Sequence, residues 1–148
     1  MKISIVNSQK IVKLDLREIK SIAAGALGAI EEKEAELSIY FVDDAQIRNL
    51  NYRYRGFDKP TDVLAFSMRD GEALRGAEGI LGDVVVSTET AVNQARRFRK
   101  DVKDEIALYL IHGVLHLAGY DDTSPSERKK MQKKQKQIFA SRGFYEAA

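Results

Sequence analysis

The two histidines of the chain, His112 and His116, stand four positions apart in the sequence. The run from Ile106 to Ala118 around them is apolar on nearly every side, which is typical of a helix buried within a domain. Side chains four positions apart lie on one face of a helix, so both imidazoles can point at the same spot. The pair is therefore a candidate for binding one metal ion.

A third ligand is expected just after this helix. Gly119 readily adopts the left-handed conformation in which helices end, and the turn can bring Asp122 back toward the histidines. Two imidazole nitrogens and one carboxylate oxygen leave one coordination position open, as in catalytic rather than structural zinc sites. The alternative is two core histidines that are satisfied by hydrogen bonds. The spacing, with the glycine and the carboxylate after it, favours a metal site of His112, His116 and Asp122.

Composition limits the class of protein. The 148 residues, of which 44% are hydrophobic and 31% charged, are typical of a soluble globular protein, and we predict a single domain over residues 1–148. The chain contains no cysteine, so a metal must be held by histidine and carboxylate. Neither a signal peptide nor an apolar run of membrane-spanning length is visible, and we expect a cytoplasmic protein with no membrane partner.

The charge of the chain is small but uneven. The net charge is +2, while basic residues cluster around Arg97 and again around Lys129. Such clusters attract polyanions, although lysine-rich helices are as often only solvated faces. Charge alone therefore leaves binding to nucleic acid open.

The hydrophobic pattern predicts an α+β (mixed α/β) fold, with one mixed sheet of about four strands and helices packed on it. Strands are expected at residues 3–6, 37–41, 63–66 and 80–86, and a mobile surface hairpin at residues 69–79. A helix that begins at Ser87 or Thr88 is expected to carry Phe98 inward. The last helix has a complete start signal, with Ser124 as its cap and Pro125 at its first position.

Three blocks of the sequence resemble the bacterial YbeY family, in the family's order and spacing. They are YRxxxxPTDVLxF at residues 54–66, LGDVxxSxET at 81–90 and HGxLHLxGYD at 112–121. The resemblance covers the chain from about Leu50 to the last helix. Members of the family are single-strand-specific endoribonucleases that bind a zinc-like metal, help to mature the 3′ end of small-subunit ribosomal RNA and act in ribosome quality control. The resemblance implies the same activity here, with ribosomal RNA and the small ribosomal subunit as partners.

The resemblance also implies roles for particular residues. It implies one zinc or similar divalent ion per chain, held by His112 and His116, and a catalytic role for Arg55, which matches the arginine that the family needs for activity. The family usually has histidine where this chain has Asp122, so the third ligand is carried over by position only.

Arg55 lies in a polar, charged loop that leads into the third strand, a common place for functional residues. Its planar guanidinium can pair with two phosphate oxygens and stabilise charge in a transition state, whereas a structural salt bridge is the alternative role. Arg53 and Lys59 are expected to guide an RNA backbone without reading its sequence, or to be solvated surface.

Two other functions stay open at this point. One is a ribosome assembly factor whose metal is mainly structural, and the other is a metal-dependent hydrolase of non-nucleic substrates. Zinc peptidases with two histidines on a helix use a glutamate directly after the first histidine as general base, and Gly113 stands there in this chain. A peptidase would therefore need Glu105 or Glu89 as a substitute.

Overall fold

The computed structural model describes residues 1–68 and 80–142, so the hairpin predicted at residues 69–79 lies outside the described residues. In the described part, four strands form one sheet: β1 (Lys2–Asn7), β2 (Glu36–Val42), β3 (Val63–Ser67) and β4 (Ile80–Ser87). Their spatial order is β1-β2-β4-β3. In this order β1, β2 and β4 are parallel to one another. The edge strand β3 pairs with β4 in the antiparallel sense.

Five helices surround this sheet in the same ranges: α1 (Leu16–Ala29), α2 (Asp44–Arg55), α3 (Thr88–Phe98), α4 (Val102–Leu117) and α5 (Pro125–Ser141). The parallel strands are joined through helices, as parallel strands require. The predicted α+β class, with a mixed sheet of four strands, is confirmed.

The helix α4 is the central element of the core. It contacts β3, β4, α1, α3 and α5, so it is covered nearly all round, in agreement with its apolar sequence. Leu110, Ile111 and Leu115 are fully buried, and each such side chain contributes about 1.5–3 kcal/mol through its burial. On the other face of the sheet, a smaller cluster joins Leu64 and Val85 to Ile47 of α2.

The ends of the helices follow local sequence signals. Ser124 accepts a hydrogen bond from the backbone N–H of Glu127 at 3.2 Å and Pro125 begins α5, as predicted. Ser87 caps α3 in the same way through the N–H of Thr90. These caps satisfy backbone donors that have no partner within the helix.

The prediction that Phe98 packs inward is wrong. Phe98 is the last residue of α3 and 57% of its surface is exposed. Because the helix ends there, at the left-handed residue Arg99, its ring contacts the guanidinium of Arg97 at 5.3 Å instead of the core.

Within residues 1–68 and 80–142, no helix combines the length and the hydrophobicity needed to cross a lipid bilayer.

Candidate metal centre

The two histidines of α4 face one another across a single turn of the helix. Their ring centroids lie 4.6 Å apart, and the Nε2 atoms of His112 and His116 are separated by 3.0 Å. Both side chains are half-buried, because one side of the turn packs on the core while the other borders a cavity. The spacing seen in the sequence thus places two nitrogens at one point in space.

The outer nitrogen of His112 is held by a residue of α5. Nδ1 of His112 lies 2.9 Å from Oε1 of Gln135. An amide oxygen can only accept a hydrogen bond, so Nδ1 carries the proton and Nε2 presents its lone pair toward the cavity. This is the form of imidazole that binds a metal, and Gln135 fixes both the tautomer and the direction of the ring.

His116 is kept in its neutral form by its surroundings. Burial lowers the pKa of His116, and repulsion from His112 lowers it further. The carboxylate of Asp122 and a hydrogen bond with the backbone of Tyr120 act in the opposite direction but do not cancel the effect. The neutral form of His116 has a nitrogen lone pair available for a metal ion.

The third predicted ligand reaches the same point from the turn after α4. Gly119 takes the left-handed φ of 98°, which turns the chain back as expected. One ligand atom each from His112, His116 and Asp122 lies within 4.8 Å of the others. The neighbouring Asp121 instead accepts hydrogen bonds from the backbone N–H and the hydroxyl of Thr123, at 3.1 and 2.8 Å, and so stabilises the turn.

This donor set fits a zinc-like ion. With zinc–nitrogen bonds of about 2.0–2.1 Å, two ligands of a tetrahedral ion lie roughly 3.3 Å apart, close to the 3.0 Å between the two Nε2 atoms. The two imidazoles and one exposed carboxylate leave a coordination position for a substrate. The structure thus brings the three predicted ligands together, and their role as ligands stays a prediction.

The histidines lie in the wall of an open cavity of about 470 Å³. The opposite wall is the edge strand β3, which turns alternate residues, Val63, Ala65 and Ser67, toward the cavity. Thr61 and Asp62, from the loop before β3, complete this wall. A bound ion would therefore be open to solvent on one side and enclosed by protein on the other.

Arg55 also lines the cavity, from the last turn of α2. Among residues 1–68 and 80–142, no carboxylate forms an ion pair with Arg55. The catalytic role of Arg55, with a structural salt bridge as its alternative, stays a prediction. Lys59 lies beside the ring of Phe57 outside the cavity, and Arg53 is exposed on α2 and does not line it.

Gly113 has no room for a side chain. A Cβ atom at this position would lie 2.6 Å from Cγ1 of Val84 and 3.1 Å from Cγ2 of Val63. The helix α4 packs directly on Val84 and Val63 of the sheet here, so the glutamate that peptidases place after their first histidine cannot be accommodated.

Neither proposed substitute for that glutamate lies at the cavity. Glu105 is buried, 3.8 Å from the ammonium group of Lys100. Burial raises the pKa of Tyr109, and a hydrogen bond with Glu105 raises it further, so the two groups are engaged with one another. Glu89 accepts a hydrogen bond from the backbone N–H of Asp44 at 3.0 Å. Neither Glu105 nor Glu89 is therefore placed to act as the base of a peptidase.

The sequence analysis missed Gln135 and three polar residues of the cavity wall, Thr61, Asp62 and Ser67. A signal for Gln135 exists, because it lies four positions after Met131 and three before Ile138, both buried residues of α5. A polar side chain on that buried stripe needs a partner in the core. Asp62 carries no comparable signal, since its place in the cavity depends on how the loop folds.

Comparison with known proteins gives the family. A family model described as Endoribonuclease YbeY matches residues 4–143 of the chain. A curated relative of that name from Syntrophus aciditrophicus is 41% identical over 141 residues, which cover 94% of this chain and 88% of the relative. Another, from Pelotomaculum thermopropionicum, is 50% identical over 108 residues, 72% of this chain and 71% of the relative.

A third relative of the same name, from Aquifex aeolicus, is 43% identical over 125 residues, with 81% of each chain covered. The solution structure of a protein from Thermotoga maritima shares the fold, with a TM-score of 0.61 at 23% identity over 95% of this chain and 91% of that one. The resemblance seen in the three sequence blocks, and the enzyme class it implied, are thereby confirmed. The chain belongs to the Endoribonuclease YbeY family.

Proposed function

We propose that this chain is a metal-dependent endoribonuclease that cuts single-stranded RNA, in the maturation of the 3′ end of small-subunit ribosomal RNA and in ribosome quality control. The observation that carries the chemistry is the convergence of Arg55 with His112, His116 and Asp122 on one cavity. The RNA substrate is supported by the names of the relatives, and the ribosomal role by the family resemblance. A cytoplasmic location and the small ribosomal subunit as partner belong to the same proposal.

The residues at and around the cavity have different roles in the proposed cleavage. A bound zinc-like ion supplies Lewis acidity, which polarises a phosphate and acidifies water. His112, His116 and Asp122 would hold that ion, and Gln135 keeps the ring of His112 in its ligand orientation. Arg55 places its guanidinium in the same cavity, where its two parallel N–H groups can bind oxygens of the scissile phosphate.

Arg55 is suited to stabilise the negative charge that grows on the phosphate during attack. Because the guanidinium is positioned before the substrate arrives, little reorganisation is needed at the moment of reaction. A lysine would offer a point charge without the planar fork. Removing one such preorganised donor typically lowers the rate by about 10²–10³-fold.

Binding of the RNA chain is assigned to the surface beside the cavity. Arg53 and Lys59 are both exposed and flank Arg55 in the sequence. Cations of this kind bind phosphates regardless of sequence and with strong dependence on salt. Their contribution is therefore affinity rather than choice of the bond that is cut.

The test combines metal content with RNA cleavage on the same samples. We expect about one zinc-like ion per chain by elemental analysis in the wild type, and loss of both metal and cleavage in His116→Ala and Asp122→Ala. Arg55→Lys should keep the metal and lose roughly 10²–10³-fold in cleavage of single-stranded RNA. The matched control is Arg17→Lys, at an exposed arginine at the start of α1. It should change neither the metal content nor the cleavage of RNA.

Two results would contradict the proposal in different ways. Metal retained in full by Asp122→Ala would remove Asp122 from the ligand set. A wild-type protein that holds metal and cleaves no RNA would overturn the proposed activity and favour an assembly factor with a structural metal.

A further inference from the structure

Phe57 is an exposed aromatic residue two positions after Arg55, which lines the cavity of the candidate metal centre. Half of its surface, 50%, is accessible to solvent, whereas Phe41 and Phe139 are buried in the core. It follows Gly56, the left-handed residue that ends α2, and stands two positions after Arg55. A large apolar ring is thus held at the surface, close in sequence to a residue that lines the cavity.

Two cations lie next to this ring. Cζ of Arg55 and Nζ of Lys59 are each 5.7 Å from the centroid of Phe57, within the range of a cation–π contact. Arg55 therefore contacts the ring through its guanidinium and is also a lining residue of the cavity. An aromatic surface with adjacent positive charge has the composition that single-stranded nucleic acid requires, a stacking surface for a base and cations for the backbone.

The segment that carries Phe57 is fixed to α2 on both sides. The backbone N–H of Phe57 donates to the carbonyl of Asn51 at 3.4 Å, and Nδ2 of Asn51 donates to the carbonyl of Lys59 at 2.9 Å. Asp58 accepts two hydrogen bonds from Arg48, at 2.8 and 3.3 Å. Because Phe57, Asp58 and Lys59 are all hydrogen-bonded to α2, the ring of Phe57 belongs to an ordered segment. A ligand would not have to order this segment before binding.

We propose that Phe57 is a stacking platform for one nucleobase of a single-stranded RNA whose neighbouring phosphate is bound at Arg55 in the cavity. This inference rests on the proposed function and adds a subsite to it. Stacking on an aromatic ring accepts any base, because every base has a π face. The platform would therefore position the RNA strand without selecting a sequence. It would also disfavour a duplex, whose bases are already stacked on one another.

The chain contains a matched control for this platform. Phe98 is exposed to a similar degree, 57%, and has the guanidinium of Arg97 at 5.3 Å from its ring centroid. Neither ring lines the cavity, but the arginine beside Phe57 does, whereas Arg97 beside Phe98 does not. If an exposed phenylalanine beside an arginine were only a general surface feature, the two positions would respond alike.

The experiment measures the affinity for a short fluorescent single-stranded RNA by anisotropy, in a chelator so that the RNA stays intact. Phe57→Leu should bind roughly five-fold or more weakly than the wild type, the loss expected for one stacked base. Phe57→Trp should bind at least as tightly as the wild type, and Phe98→Leu should not differ from it. Equal affinities of the wild type and Phe57→Leu would overturn the proposal.

A second arm identifies the stacked base. An abasic nucleotide is moved along the RNA, and one position should weaken binding to the wild type but not to Phe57→Leu. The same penalty in both proteins would show that Phe57 does not contact a base. Thermal unfolding of each variant separates this effect from a loss of folding.

Cleavage of the same RNA by the wild type, with divalent metal restored, separates the platform from the proposed function. Cleavage by the wild type together with unchanged binding by Phe57→Leu would reject the platform and keep the nuclease. Weaker binding by Phe57→Leu without any cleavage would keep the platform and reject the nuclease. No binding of RNA by the wild type would reject both.

Discussion

At the scale of single residues, the candidate metal centre depends on which nitrogen of each histidine is free. Gln135 determines this for His112, because its amide oxygen accepts a hydrogen bond from Nδ1 at 2.9 Å. Burial and repulsion between the rings keep the pKa of His116 below its usual value. Gln135 therefore orients one candidate ligand although it would not contact the metal itself.

Replacing Gln135 by leucine should weaken metal binding by about 10–100-fold, since the ring of His112 loses the partner that fixes its tautomer. Gln135→Glu should retain the affinity, because a carboxylate also accepts from Nδ1. Competition with a chromophoric chelator measures both. Gln132→Leu, an exposed glutamine on the same helix, is the control. Equal affinity in Gln135→Leu and Gln132→Leu would contradict the positioning role.

Asp122 is the candidate ligand that the family resemblance carries over by position only. A carboxylate is a harder ligand than imidazole and adds negative charge, which makes the bound ion a weaker acid. Asp122→His should therefore move the optimum for RNA cleavage to lower pH and narrow the preference among divalent metals. Rates measured against pH with zinc, manganese and cobalt test this. An unchanged profile together with unchanged metal preference would refute the argument.

At the scale of secondary structure elements, the position of α4 against the sheet sets the distance between the histidines and β3. At Gly113 this contact is tight, because Val84 and Val63 lie directly against the backbone of the helix. Gly113 also stands between His112 and His116 in the sequence and adds no side chain there. The missing glutamate noted in the sequence thus has a steric reason, which the sequence alone does not provide.

Gly113→Ala should destabilise the protein by about 1–3 kcal/mol, the usual cost of overpacking, even though alanine favours a helix by about 1 kcal/mol. The control is Gly28→Ala in α1, where a Cβ would meet nothing within 4 Å. That variant should be as stable as the wild type or more stable. Urea denaturation measures both, and a Gly113→Ala protein that gains stability would show that α4 is free to move away from the sheet.

On β4, the carboxyl group of Asp83 is partly buried, and burial raises its pKa above the ordinary value of 3.8. The folded state therefore binds this proton more tightly than the unfolded state, so the charged form costs stability at neutral pH. Asp83→Asn should be more stable than the wild type at pH 7, and the difference should vanish as the pH falls below about 3.8. Denaturation of both proteins at several pH values tests the direction of this difference in stability. A variant that is less stable at pH 7 would mean that the charge is stabilised by a partner.

Sequence reasoning succeeds in this chain where the signal is local. The histidine spacing, the turn at Gly119 and the start of α5 at Ser124 each depend on a few neighbouring residues, and the structure reproduces them. The inward position of Phe98 is wrong because periodicity does not show where the packing of a helix ends. Gln135 was missed since its contact requires α5 to lie against α4, which only the tertiary fold decides.

At the scale of the whole molecule, the strand order β1-β2-β4-β3 places the edge strand opposite α4 and creates the cavity between them. The order could not be read from the chain, because pairing between distant strands leaves no periodic signal in either one. The number of strands and the mixed sheet were predictable from the hydrophobic runs.

Metal binding should stabilise the entire fold, because the three candidate ligands meet only in the folded state. At a free metal concentration of 100 times Kd the gain is about 2.7 kcal/mol. For a domain of this size that raises Tm by roughly 5–10 °C. Differential scanning calorimetry with and without zinc measures it, and His116→Ala should show no increase. A similar increase in that variant would place the metal elsewhere.

The cavity has one wall from residues 55–67 and another from residues 112–122, two stretches far apart in the chain. A nucleic acid strand bound both to Arg55 and at the histidines would act as a non-covalent cross-link between the edge of the sheet and its central helix. Such a cross-link adds nothing to either stretch alone, yet it opposes every opening that separates them. The RNA would then make the protein most rigid along the cavity, where the backbone of the RNA is to be cut.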